Sequence, residues 1–187
     1  MVDKLASQLT SFICTETYNN AKDRGRIQYG LSILLGEGFK IIFLVLFFNI
    51  IHKEKLFFFS LLVLMSTRVF AGGIHLKGAL NCLLLTTAMF IFTSMIAPLI
   101  PQLPRTYYLF AGIASFLIVS LKAPMCSVRR PIKDKKKKLQ YKIIAASSIA
   151  IWTIILLSLK NTAYVNCGFS TILLQSVQLV LIKKPKL

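Results

Sequence analysis

Residues 41–51 read Ile41-Ile42-Phe43-Leu44-Val45-Leu46-Phe47-Phe48-Asn49-Ile50-Ile51, an apolar run broken only by Asn49. A short polar connection, His52-Lys53-Glu54-Lys55, leads into a second run, Leu56-Phe-Phe-Phe-Ser-Leu-Leu-Val-Leu-Met-Ser-Thr-Arg-Val-Phe-Ala71. A helix needs roughly 20 apolar residues to cross a bilayer, and runs like these approach that length. Working outward, six such segments emerge, over about 30–51, 56–71, 79–97, 107–124, 143–159 and 163–182. The third stops near Pro98 and Pro101. Of the 187 residues, 56% are hydrophobic and 16% charged, and the mean hydropathy is +0.69. A soluble domain of this size needs more polar surface. The expected fold is an all-α integral membrane protein, a single polytopic domain over 1–187 with about six transmembrane helices.

Charge sets the expected orientation. The chain has 23 Lys+Arg against 6 Asp+Glu, a formal +17. Such a balance suggests nucleic acid in a soluble protein, but here the bases sit between apolar runs, so no nucleic-acid partner is expected. With six spans, both termini share a side with loops 2–3 and 4–5. That side carries Lys4, Lys22, Arg24, Arg26, Arg68, Lys77, Lys122, Arg129, Arg130, Lys133, Lys135 to Lys138, Lys142, Lys183, Lys184 and Lys186. The other carries Lys53, Lys55, Arg105 and Lys160. Basic residues in short loops stay in the cytoplasm, which assigns the first side to it and anionic lipids as partners. The 1–28 segment is then a cytoplasmic N-terminal stretch, and 122–142 a basic cytoplasmic loop. Residues 1–28 hold Asp3, Lys4, Glu16, Lys22, Asp23, Arg24 and Arg26 and no apolar core like that of a signal peptide, so the first span is expected to direct insertion.

Four cysteines, Cys14, Cys82, Cys126 and Cys167, are scattered without a CxxC pair. On this topology the first three lie near the cytoplasmic side, where thiols stay reduced. Glu37 and Lys40, three apart, share a helix face and can pair. Two readings stay open for them: a charged pair facing a bundle interior, or an interfacial stretch preceding a span that starts at Lys40.

Chemistry concentrates in Arg68-Val-Phe-Ala-Gly72-Gly73-Ile-His75-Leu-Lys-Gly78-Ala-Leu-Asn-Cys82. A thiolate is an effective nucleophile, and an imidazole can take the thiol proton and return it to a leaving amine. Seven residues is nearly two helical turns, so His75 and Cys82 would share a face, but about 10 Å apart along the axis. Direct proton transfer needs about 3 Å. Gly72, Gly73 and Gly78 permit backbone shapes closed to other residues. The expectation is a turn or re-entrant segment that folds His75 back toward Cys82, with regular helix from near Gly78 or Ala79. Arg68 and Lys77 would favour the thiolate. Spacing alone leaves the bland readings open: a small apolar cysteine, an interfacial histidine, and glycines that serve helix packing. A metal site lacks ligands, since no further His, Asp or Glu stands nearby, and no cofactor is expected.

The segment Arg68…Ala71-Gly72-Gly73-Ile74-His75…Cys82 resembles the signature of the accessory gene regulator B (AgrB) family, bacterial quorum-sensing membrane endopeptidases. Ala123-Pro124-Met125-Cys126-Ser127-Val128-Arg129-Arg130-Pro131-Ile132, with the basic run after it, looks like that family's central cytoplasmic loop. Val69-Phe70 and Leu76-Lys77 depart locally from the familiar pattern. The resemblance implies cleavage of a short membrane-associated propeptide of the AgrD type. Cys82 would be nucleophile and His75 general base and acid, with Arg68, Gly72 and Gly73 in support. A peptidyl thioester on Cys82 would then cyclise to a thiolactone or lactone autoinducing peptide. The propeptide's acidic tail would meet the basic residues Lys122, Arg129, Arg130, Lys135 and Lys136. Glu37 would orient His75 if the first span packs against the site. Small size together with the resemblance points to a homodimer in the bacterial cytoplasmic membrane.

Two rivals remain on the sequence. One is a small transporter or channel component using Glu37, Lys40, Asn81, Thr86 and Thr87; the other is a non-catalytic lipid- or partner-binding membrane protein.

Overall fold

A computed structural model describes residues 2–14, 21–73, 79–125 and 134–181. The described residues are predominantly helical, with no strand among them. In chain order the helices are α1 (Val2–Ile13), α2 (Ala21–Ile50), α3 (Glu54–Ala71), α4 (Ala79–Ile91), α5 (Arg105–Lys122), α6 (Lys135–Ser158) and α7 (Thr162–Leu181). A π-helical turn (Phe92–Ile96) and a 3-10 turn (Ala97–Leu99) continue α4. Among the described residues, four stretches are long and apolar enough to cross a membrane: Ile27–Ile50, Leu80–Leu99, Lys135–Ser158 and Thr162–Leu181. Helices α3 and α5 have 18 residues each, with Glu54, Lys55 and Arg68 in α3 and Arg105 and Lys122 at the ends of α5.

The chain divides into two compact units, residues 1–51 and 52–187. In the first, α1 packs along α2. Helix α1 is amphipathic, with Ala6 and Thr10 buried and Phe12 and Ile13 exposed. On α2, Lys40 Nζ meets Glu37 Oε1 at 2.7 Å.

In the second unit α7 is the central element. It packs against α3, α5, α6 and the turns that follow α4, and 61% of its span is buried, against 22% for the span of α6. Lipid tails are as apolar as leucine, so burial drives helices together weakly in a bilayer; close packing and interhelical hydrogen bonds must do so. Both are present. The apolar core gathers Val63, Val119, Ile149, Leu156, Phe169 and Ile172. Ser60 Oγ lies 2.9 Å from both Thr93 Oγ1 and Thr171 Oγ1, which ties α3, the π turn and α7 in one hydroxyl cluster. Trp152 Nε1 donates to Ser66 Oγ at 2.7 Å, joining α6 to α3. Tyr108 of α5 donates to Asn166 Oδ1 of α7, and Asn166 Nδ2 donates to the Ile100 carbonyl at 2.7 Å.

Several boundaries differ from expectation. The first apolar segment, expected from about residue 30, belongs to a helix that starts at Ala21, so the 1–28 stretch is largely helical. The basic loop expected over 122–142 closes early. Helix α5 includes Lys122, and α6 begins at Lys135 because Asp134 caps it, its side chain accepting from the Lys136 N–H at 2.8 Å. Lys135 to Lys142 therefore form the first two turns of α6. The third segment loosens before its prolines: Pro98 lacks the N–H an α-helix uses, and the π and 3-10 turns absorb the change.

At the α6–α7 contact a Cβ on Gly168 would overlap Leu156 Cδ2. Gly168→Val should therefore push these helices apart and destabilise the protein by about 1–3 kcal/mol, measurable as a lower unfolding temperature in detergent. An unchanged temperature would contradict this packing.

Candidate functional site

The site begins where α3 ends. Gly72 has φ +84 and ψ −175, a combination that side-chain-bearing residues avoid, and its N–H still bonds the Arg68 carbonyl at 2.8 Å. A Cβ there would stand 2.7 Å from the Met125 carbonyl oxygen. The end of a helix leaves carbonyls without helical partners. Here they find others: the Met125 N–H donates to Ala71 O at 3.0 Å, and Gln175 Nε2 donates to Gly72 O at 2.7 Å. The corner is thus held by the segment after α5 on one side and by α7 on the other.

Arg68 folds under this corner. A Cβ on Gly73 would lie 2.9 Å from both Cζ and Nε of Arg68, so the missing side chain at 73 is the space the guanidinium occupies. Arg68 NH1 donates to Gln178 Oε1 at 3.3 Å, and Gln178 Nε2 in turn meets Met89 Sδ on α4. Three of the residues the motif singles out, Arg68, Gly72 and Gly73, therefore interlock within a few ångströms.

Cys82 is the fourth residue of α4 as described; it is 7% exposed and forms no disulfide. Its carbonyl accepts from Thr86 Oγ1 at 2.8 Å. Seven residues on, Met89 shares its helical face and reaches Gln178, so that face of α4 turns toward α7. His75 lies outside the described residues, as do Ile74, Lys77 and Gly78 and with them the expected turn that would return His75 to Cys82. Cys126, Arg129, Arg130, Lys133, Lys183, Lys184 and Lys186 also fall outside them. Cys167, on α7, donates to the Leu56 carbonyl at 3.5 Å, a packing role. Glu37 belongs to the first unit, where its carboxylate accepts from Lys40.

Of the basic residues, Lys122 and Lys135 come together with Lys138 and Lys142 around a pocket of about 360 Å³ between the end of α5 and the start of α6. Lys136 does not line it. Among the described residues no group of three His, Cys, Asp or Glu side chains is placed to hold a metal ion. The residues sequence reasoning passed over are Gln175, Gln178, Met89 and Met125. The available signal was the Gln175-Ser-Val-Gln178 stretch: two amides three apart in an apolar span, where polar side chains usually have a partner.

Residues 3–179 match the family model described as "Accessory gene regulator B". A Clostridium beijerinckii protein with an AgrB-like name is 35% identical over 161 residues, covering 86% of this chain and 79% of its own. A second, from Clostridium perfringens strain SM101, is 28% identical over 191 residues, covering 97% and 86%. No solved structure matches.

The two glycines make separable demands. Gly72→Ala should cost about 1–3 kcal/mol, because its φ is forbidden and the atom it meets is backbone. Gly73→Ala should leave the unfolding temperature nearly unchanged, since only the flexible end of Arg68 must move. Equal losses in thermal unfolding would contradict this reading of the corner.

Proposed function

The chain belongs to the accessory gene regulator B family, and on that premise we propose that it is a cysteine endopeptidase that cuts and cyclises an AgrD-type propeptide. Membership gives the chain a role in the agr quorum-sensing system and associates it with processing of the AgrD propeptide. Its apolar helices are those of a membrane protein. The observation that carries the finer reading is the interlocked corner of Arg68, Gly72 and Gly73, one short segment before the helix that bears the buried Cys82.

In the proposed reaction His75 takes the Cys82 proton, and the thiolate attacks the scissile carbonyl. The tetrahedral intermediate collapses as the imidazolium gives its proton to the leaving amine. The C-terminal tail departs with a new amino terminus, and the remaining peptide stays on Cys82 as a thioester. A cysteine or serine within that peptide then attacks, releasing a thiolactone or lactone and returning the Cys82 thiol. Exchange of one thioester for another is nearly balanced in energy, and a water-poor site protects the intermediate from hydrolysis. The Gly-rich turn brings His75 to Cys82, and Arg68, held under Gly73, supports the thiolate or the substrate.

In the same reading α2 to α7 are six spans with cytoplasmic termini. The α3–α4 turn and the start of α6 then face the cytoplasm, as the distribution of Lys and Arg favours. Lys122, Lys135 and Lys136 of the basic cluster, with Arg129 and Arg130, attract the acidic tail and anionic lipid headgroups. Two chains assemble as a homodimer. The Glu37–Lys40 pair, mutually neutralised at 2.7 Å, is structural in this account and not a transport pathway.

Co-expression with an AgrD-type propeptide tests the reading. The wild type should yield a shortened peptide. Cys82→Ala should yield none while still inserting in the membrane, and Glu37→Gln should process nearly normally. Cleavage by Cys82→Ala would sink the proposal, and loss confined to Glu37→Gln would favour transport.

A further inference from the structure

Helix α7 offers two amide side chains to the corner that ends α3, and neither belongs to the motif. Gln175 is fully buried. Its Nε2 donates to Gly72 O at 2.7 Å, while its own Oε1 is buried without a hydrogen-bond partner. A leucine would fill such a place without leaving a carbonyl unmatched, so the amide is there for its N–H. Gln178, one turn further and 5% exposed, spans two helices: Oε1 accepts from Arg68 NH1 on α3 at 3.3 Å, and Nε2 meets Met89 Sδ on α4. The guanidinium fixes which way the amide points, because arginine donates but accepts nothing, so Oε1 must be the atom that faces it. Nε2 is then left to face Met89 on α4.

The guanidinium is confined from two directions. Above it lies the Gly73 backbone, so close that a Cβ there would push the guanidinium aside; beside it lies the Gln178 carbonyl oxygen. An arginine has several freely rotating bonds, and ordering it in one rotamer needs contacts of this kind.

We infer that Gln178 is a positioning residue for the proposed processing reaction: it orients the Arg68 guanidinium beneath the Gly72–Gly73 corner, while Gln175 fixes the corner itself. The inference rests on the processing reading. It adds that α7, which carries neither Cys82 nor His75, holds the end of α3 that precedes them in register through these two amides. Gln178 acts through Arg68, and this makes a demand that a merely structural role does not. Removing both residues should do no more harm than removing the more important one.

The test is a double-mutant cycle on the full chain in detergent with an AgrD-type propeptide, using Arg68→Ala, Gln178→Ala and the double variant. Misplacing a supporting group costs about 10- to 100-fold in rate. Gln178→Ala should fall in that range in kcat, with KM and the unfolding temperature little changed. The double variant should match the slower single one. Gln178→Glu, which keeps an oxygen for Arg68, should recover most of the rate. A wild-type rate for Gln178→Ala would overturn the inference, as would multiplying losses in the double variant or a Gln178→Glu no better than the alanine. Cys82→Ala, measured alongside, separates the two claims. If it is inactive while Gln178→Ala is fully active, only the positioning role fails. If it still cleaves, the processing reading fails and the positioning role falls with it.

Discussion

A helix end leaves backbone carbonyls without helical partners, and where that end packs among other helices they must be satisfied from within the protein. The end of α3 is where this constraint shapes the molecule. Ala71 O takes the Met125 N–H and Gly72 O takes the Gln175 amide, so the segment after α5 and helix α7 both converge on one corner. Only glycine can hold the φ of +84 that turns the chain there. The buried polar stripe of α7, from Asn166 through Thr171 and Gln175 to Gln178, follows from the same constraint: it is the inside of a bundle whose outside is apolar. Leu173, Val177 and Val180, exposed on the same helix, show that other face.

Arg68 gains its place from what is missing at Gly73. A guanidinium within a bundle is costly unless its N–H groups have partners, and Gln178 provides one while the glycine provides room. The motif's arginine and glycines are thus one arrangement and not three separate requirements. The pocket of lysines at the α5–α6 connection is of a different kind, a concentration of like charge whose effect on anionic partners acts at longer range.

Much of this was legible in the residues. The six apolar segments fall on helices α2 to α7. Among the described residues four stretches are long and apolar enough to cross a membrane, where a run such as Ile41 to Ile51 can satisfy its backbone only as helix. Gly72 and Gly73 could be singled out because glycine permits backbone shapes closed to other residues, and Arg68 through the resemblance to the family signature. Hydropathy misjudged the helix starts, since polar residues such as Lys135 to Lys138 are good helix formers and an aspartate cap sets the boundary. It gave no hint of the π turn at Phe92, and periodicity could not foresee that Gln175 and Gln178 would face α3 and α4. Those are tertiary choices, made by which helix lies opposite.

The central claim is that Cys82 carries the cut peptide as a thioester. Purified protein mixed with an AgrD-type propeptide and quenched in acid can be digested and its cysteines weighed by mass spectrometry. The account predicts an acyl adduct on the fragment containing Cys82, matching the peptide without its tail and removed by neutral hydroxylamine. Cleavage with Cys82 unmodified throughout, or with the adduct on Cys14, Cys126 or Cys167, would contradict it.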